Sequence, residues 1–166
     1  NALRDEISLY VKEFQTEGRD GTGPKSEIPW VRIYDGEFSP SATKGWYVVY
    51  LFDAYGEKCL LSLNQGTTDL VSGSLVPKDS QGLADRVAWA KDVIARSQID
   101  VTGLREIVSL TTRRSNLGLQ YQRGNVLAKE YSADAIPEED ELVRDIARFE
   151  ELLSLIYESD RLNLMP

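Results

Sequence analysis

The sequence contains no histidine and only one cysteine, Cys59, among its 166 residues. Without histidine, the chain has no Ser-His-Asp or Cys-His catalytic pair and no histidine ligand for zinc. A single cysteine also excludes an internal disulfide and a cysteine-based zinc site. The lack of disulfides gives no sign of an oxidising compartment and mildly favours a reducing one.

Two motifs of nucleotide and nucleic-acid chemistry are missing as well. No Gly-Lys pair exists, so GTGPKS at 21–26 does not have the spacing of a phosphate-binding P-loop. No Glu-x-Lys or Asp-x-Lys triplet exists, which excludes a PD-(D/E)xK nuclease site. Cys59 precedes Leu60 and Leu61, and we expect it to be a small core residue and not a nucleophile. We therefore predict a binding domain without catalytic residues, metal or cofactor.

Long hydrophobic runs are absent too. The longest one, Trp46 to Phe52, has seven residues, whereas a membrane helix needs roughly 20. The first residues, NALRDEISLYVKEF, lack the apolar run of a signal peptide. The length predicts one domain over residues 1–166, and the initial Asn suggests that this domain was excised from a longer protein.

The net charge of −8 argues at first against a nucleic-acid partner, because phosphates attract cations. The acidity is local, however. Between Asp134 and Asp160, ten acidic residues are opposed by only two arginines. From Arg86 to Tyr131, eight basic residues outnumber four acidic ones. We expect the acidic segment to point away from any DNA-facing surface, and non-specific affinity for DNA to be weak.

Hydrophobic periodicity predicts an α+β fold, with a small, mostly antiparallel mixed sheet flanked by N-terminal, central and C-terminal helices. The predicted helices cover 2–16, 79–98 and the segment that Pro137 opens. The predicted strands cover 28–34, 46–53, 58–63, 106–110 and 125–131. Loops are predicted at 17–26 and, between the last two strands, around Arg113, Arg114, Gly118, Arg123 and Gly124.

Aromatic residues are concentrated between Ile28 and Asp69, a segment that holds eight of the fifteen in the chain. Alternation along the strand at 46–53 predicts two different faces. The core face carries Trp46, Val48, Tyr50 and Phe52, and the other face carries Tyr47, Val49, Leu51 and Asp53. Since the second set mixes aromatic, apolar and acidic side chains, it is unusual for a solvated surface. We expect Trp30 to wall the same concavity; ordinary sheet aromatics are the alternative.

Several strings in the chain resemble the N-terminal domain of McrB-like, modification-dependent restriction proteins. They are IPWVRIYD, EFSPSATKGWYVVYLFD, LLSLNQGTTD and LGLQYQRGNVLAKEYSADAIPEEDELVRDIARFEELL. The resemblance implies a module that binds double-stranded DNA and flips 5-methylcytosine or 5-hydroxymethylcytosine into a pocket. It also implies a fused or partner nuclease or NTPase domain, no membrane, and a cytoplasmic, prokaryotic setting.

The resemblance assigns two pocket residues by their position in the motif. Trp30 corresponds to the family's stacking tryptophan and Leu51 to the apolar residue near the base, and Tyr47 is expected to share the pocket. Asp53 is our own addition, because a carboxylate accepts from the exocyclic amine of cytosine and rejects a thymine carbonyl. The alternative for Asp53 is a turn-forming role, which is common at strand ends.

One position departs from the family pattern. A better-studied branch has an aromatic residue eight positions before the tryptophan, where this chain has Thr22. The second wall of the slot must therefore come from elsewhere, and Tyr121 is our candidate.

Contacts to the DNA backbone or grooves require basic or small polar side chains in loops beside the pocket. The candidates are Ser39, Ser41, Thr43, Lys44, Asn64, Gln65, Thr67, Arg113, Arg114 and Arg123. Solvated surface charges and turn hydrogen bonds are the alternatives for individual members. A different function, an aromatic cage that binds a cationic peptide, uses the same aromatic residues with Asp53 and Glu57.

Overall fold

The computed structural model describes residues 1–19, 27–113 and 115–163. The elements within these ranges are, in chain order, α1 (Ala2–Ser8), β1 (Gln15–Arg19), β2 (Trp30–Tyr34), β3 (Trp46–Phe52), β4 (Lys58–Gln65), β5 (Thr68–Val71), β6 (Ser74–Pro77), α2 (Ser80–Ala95), α3 (Leu117–Gly124), β7 (Leu127–Ser132) and α4 (Glu139–Asn163). Five strands form an antiparallel sheet in the order β1-β2-β3-β4-β7, and β5 pairs with β6 as a separate ribbon. The predicted α+β fold is confirmed.

One face of the sheet packs against helices and forms the main core. Trp46, Val48 and Tyr50 from β3 lie in this core with residues of α1, α2 and α4 such as Ile7 and Phe149. Phe52 packs against its margin. The predicted core face of β3 is therefore confirmed.

Helix α4 begins two residues after Pro137 and carries Glu139, Asp140 and Glu141 in its first turn, where acidic side chains favour the positive end of the helix dipole. It packs on the main-core face, whereas Trp30 and Leu51 belong to a cluster on the other face. The acidic helix is thus separated from those residues by the sheet. Among the described residues, no helix is long and apolar enough to span a membrane.

The N-terminal helix is shorter than predicted. It ends at Ser8, and residues 15–19, predicted as helix and loop, form the edge strand β1. Pairing with β2 decides this local structure, because Glu17 stands opposite Arg32 and binds it 2.6 Å away. Phe14 still packs against the core. Its spacing from the preceding apolar residues therefore indicates burial correctly, although no continuous helix connects them. The rest of the predicted loop, residues 20–26, lies outside the described residues, as does Thr22.

Two parts of the prediction for residues 106–124 are wrong. Residues 106–110 form no strand, and the predicted polar loop contains the helix α3. A Cβ atom on Gly118 would stand 2.4 Å from the Leu110 carbonyl oxygen, and one on Gly124 would stand 2.3 Å from Asn64 Oδ1. These glycines allow α3 to pack closely against its neighbours, although the glycine and polar residues of this segment suggested a loop. The following strand, predicted at 125–131, is observed as β7.

Candidate nucleic-acid interface

The second face of the sheet carries its own apolar cluster. Its buried members come from β2 and the residues just before it, from β3, β4 and β7, and from the segment before α3. They are Ile28, Trp30, Tyr47, Val49, Leu51, Leu60, Val108, Leu110 and Ala128. Tyr121 from α3 packs against the same cluster. The structure thus gathers four of the five predicted pocket residues in one cluster.

Trp30 and Leu51 are direct cross-strand partners between β2 and β3. They are 8% and 1% exposed, and the cluster that buries them includes Val108 and Leu110. The segment that contains Val108 and Leu110 is bound through the Leu110 N–H, which donates to Gln122 Oε1 at 3.1 Å, and next to it the Ala54 N–H donates to the Thr111 carbonyl at 3.3 Å. Trp30 and Leu51 are therefore almost fully buried in this conformation.

Tyr47 and Tyr121 lie at the other end of the cluster. Tyr47 is four residues from Leu51 along β3, or about 13 Å, and its hydroxyl lies 3.0 Å from the Gln65 carbonyl oxygen and 3.1 Å from that of Ala42. Burial raises the pKa of Tyr47, and the nearby Tyr121 phenol raises it further. Tyr121 therefore stands near Tyr47, and it packs against the cluster that also contains Trp30 and Leu51.

Asp53 directs its carboxylate into the turn between β3 and β4. Its Oδ1 accepts hydrogen bonds from the backbone N–H groups of Glu57, at 2.8 Å, and Lys58, at 3.4 Å. Gly56 adopts φ 70° in the same turn, a conformation that favours glycine. The geometry favours the turn-forming alternative for Asp53.

Arg32 is a buried residue of this face that the sequence analysis missed. Its Nε and Nη2 each lie 2.6 Å from the Glu17 carboxylate, and its Nη1 donates to the Ser39 hydroxyl at 2.9 Å and to the Ser39 carbonyl at 3.2 Å. The guanidinium stacks 3.7 Å from the Tyr34 ring centroid. Arg32 therefore connects β1 and β2 to the loop before β3. Alternation in IPWVRIYD, which places it on the face of Trp30, was the available signal.

The predicted backbone-contacting residues divide by exposure. The exposed ones are Lys44, Arg113 and Arg123; the half-buried ones are Ser41 and Thr43; the buried ones are Ser39, Asn64, Gln65 and Thr67. Arg114 lies outside the described residues. Ser41 and Thr43 hydrogen-bond to each other at 2.9 Å. Only the exposed and half-buried group is available to a duplex in this conformation.

Asn64 and Gln65 belong to the end of β4 and not to a loop. Asn64 Nδ2 donates to the Ser62 hydroxyl and to the Tyr121 carbonyl, both at 3.0 Å. Gln65 accepts from Arg86 Nε at 2.8 Å. These side chains tie β4 to α2 and α3, which favours the structural alternative over direct contact with bases.

Basic side chains meet at the Tyr47 end of the sheet. Lys78 Nζ donates to the Thr43 carbonyl at 2.7 Å and lies 3.8 Å from Asp69. Burial lowers the pKa of Lys78, and the positive charges of Arg86 and Lys44 lower it as well. We call Lys44, Lys78 and Arg86 the basic end. At the opposite end of the face, Arg113 covers the Tyr55 ring at 4.5 Å.

A separate cavity of about 420 Å³ lies on the main-core side, between α1, α4 and the β3–β4 hairpin, and contains none of the predicted site residues. Cys59 lines it, and burial raises the pKa of this thiol to about 12. The thiol is therefore protonated at neutral pH, which agrees with its predicted role as a core residue and not a nucleophile.

The family model described as MrcB-like, N-terminal domain, matches residues 1–158. The chain belongs to this family. The McrB-like resemblance found in the sequence is thereby confirmed, and membership supports a DNA-binding recognition role in restriction. Comparisons with curated proteins and with solved structures gave no match.

Proposed function

We propose that this MrcB-like domain binds double-stranded DNA and flips a modified cytosine, 5-methylcytosine or 5-hydroxymethylcytosine, into the space beside Trp30 and Leu51. The supporting observation is that these two residues are cross-strand partners on the sheet face opposite the acidic helix α4. An indole replaces the stacking that a flipped base loses, which is worth about 1–3 kcal/mol per contact. Leu51 supplies an apolar wall for the 5-methyl group.

The pocket opens, in this proposal, by displacement of the segment that contains Val108 and Leu110. Both side chains are buried, whereas the preceding residue, Ile107, is 89% exposed. Exposing two aliphatic side chains costs about 1.5–3 kcal/mol each. Contacts between the duplex and the protein offset this cost, so the segment remains closed until DNA binds.

Phosphates bind, in the same proposal, at both ends of the face. Lys44 and the other members of the basic end lie at one end, Arg113 lies at the other, and Arg123 adds a further cation in the last turn of α3. Long basic side chains at the surface bind phosphates without reading sequence, so these residues position the duplex while the pocket selects the base. We expect the domain, residues 1–166, to serve a fused or partner nuclease or NTPase in the prokaryotic cytoplasm.

The test is a gel-shift series with one duplex that carries cytosine, 5-methylcytosine, 5-hydroxymethylcytosine or glucosylated cytosine at a single position. We expect the 5-methyl or 5-hydroxymethyl duplex to bind most tightly, with affinity that falls steeply as salt rises. A 2-aminopurine at the target position should gain fluorescence on binding if the base leaves the stack. No shift with any of the four duplexes contradicts the proposal.

The aromatic-cage alternative is tested with the same protein. Binding of a trimethyl-lysine peptide, combined with no preference among the four duplexes, would replace DNA recognition by peptide recognition. Arg32 already occupies the face of the Tyr34 ring, which leaves less aromatic surface for a ligand cation and disfavours this alternative.

A further inference from the structure

The ribbon formed by β5 and β6 exposes apolar side chains on both of its faces. Leu70 and Leu75 are cross-strand partners, 67% and 60% exposed, and on the other face Val71 and Val76 are 52% and 43% exposed. A two-stranded ribbon alone is marginally stable in water. Contiguous exposed apolar side chains mark interaction sites. The ribbon is therefore a surface that a partner is expected to cover.

The base of the ribbon adjoins the basic end. The Lys78 N–H, directly after β6, donates to the Thr67 carbonyl at 2.9 Å, while its Nζ holds the Thr43 carbonyl. Asp69 is the only charged residue within the two strands, and it pairs with Lys78. Apart from Asp69, whose charge Lys78 opposes, the ribbon is uncharged, and it adjoins the cations of the basic end. It is therefore complementary to a nucleic-acid groove lined by phosphates.

We propose that the β5–β6 ribbon enters the major groove of the bound duplex and places Leu70 and Leu75 against 5-methyl groups of thymine. The inference rests on the proposed DNA-binding function. The major groove is about 12 Å wide and admits a two-stranded ribbon, whereas the minor groove is about 6 Å wide. Apolar side chains recognise thymine in the major groove through its methyl group.

The position of the ribbon separates this contact from the flipped base. Leu60 stands opposite Leu51 in the register of β3 and β4, and β4 continues for five residues to Gln65 before the ribbon begins. Five residues of strand span about 17 Å, half of the roughly 34 Å of one duplex turn. The ribbon therefore contacts base pairs that flank the target and contributes to sequence context.

The first experiment compares the wild-type domain with the Leu70→Ser/Leu75→Ser variant on the 5-methylcytosine duplex. We expect binding to weaken about tenfold or more, with an unchanged dependence on salt because no phosphate contact is lost. The matched control is Leu162→Ser, since Leu162 is 66% exposed on α4. A second control, Lys44→Ala, should lower the slope of log affinity against log salt by about 0.9.

The second experiment replaces flanking thymines by deoxyuridine, which removes only the methyl group. We expect this replacement to weaken binding by the wild-type domain several-fold and to leave the double variant unaffected. Equal losses for both proteins, or no loss for either, would exclude the major-groove contact. Circular dichroism and melting temperature confirm that the variant is folded.

The ribbon inference and the proposed function fail in different ways. If the wild-type domain selects modified DNA and the double variant does so equally well, only the ribbon inference is wrong. If the wild-type domain binds none of the duplexes, both are wrong. A change of oligomeric state in the double variant, with unchanged DNA affinity, would identify the ribbon as a protein interface and also overturn the inference.

Discussion

Trp30 lies directly opposite Leu51 across the β2–β3 pair, and both side chains are buried on the sheet face that does not carry α4. The two residues are 21 positions apart in the chain, yet the antiparallel register brings them together. This pairing places a flat aromatic surface and an apolar wall side by side. The proposed binding of a flipped, 5-substituted pyrimidine rests on this arrangement.

Replacing Trp30 by Leu should lower the affinity for the modified duplex by about tenfold to a hundredfold, because Leu keeps apolar volume but loses the stacking surface. Equilibrium titration with a labelled 5-methylcytosine duplex measures this change. The matched control is Trp89→Leu, since Trp89 packs on the main-core face. An equal loss in both variants would mean that stability, and not stacking, explains the effect.

Removing one charge of the Glu17–Arg32 pair should destabilise the domain more than removing both. Its side chains are 37% and 3% exposed, respectively. Glu17→Gln leaves a buried guanidinium without a counter-charge and should cost about 3 kcal/mol of unfolding free energy, measured by urea denaturation. The double variant Glu17→Gln/Arg32→Met removes both charges and should recover most of this loss. A double variant as unstable as Glu17→Gln would show that the charge is not the cause.

Replacing either of two helical glycines by alanine should change thermal stability, but in opposite directions. Gly118→Ala places a Cβ 2.4 Å from the Leu110 carbonyl oxygen, so α3 must shift and thermal stability should fall. In Gly82→Ala the new Cβ meets no atom closer than 3.5 Å, and the gain in helix propensity should stabilise the domain by up to about 1 kcal/mol. Equal effects of the two substitutions on the melting temperature would contradict this account.

Asp53→Asn tests the two roles considered for this carboxylate. An asparagine Oδ1 still accepts the turn hydrogen bonds, so we expect stability, DNA affinity and the preference for cytosine over thymine to remain unchanged. Asp53→Ala should cost about 1 kcal/mol of stability through the lost turn bonds. Loss of the cytosine preference in Asp53→Asn alone would instead identify the carboxylate as the group that reads the base.

The local sequence pattern determined those helices and strands for which the pattern and the tertiary contacts favour the same structure. The apolar and aromatic run at β3, the stripe of α4 and the acidic start after Pro137 each predict the observed element. The alternation along β3 also predicts its two faces correctly, because side-chain direction in a strand follows from backbone geometry alone. The motif strings were long enough to identify the family.

Only the tertiary structure decided the rest, because the deciding contacts join residues far apart in the chain. Residues 15–19 are a strand paired with β2, and residues 117–124 are a helix in which Gly118 packs closely against the Leu110 carbonyl. Tertiary packing also brings Tyr121 against the cluster that contains Trp30, and the turn after β3 directs Asp53 toward Glu57. The sequence by itself determined the family and the Trp30 face, whereas long-range packing decided which side chains line that face and which are buried beneath it.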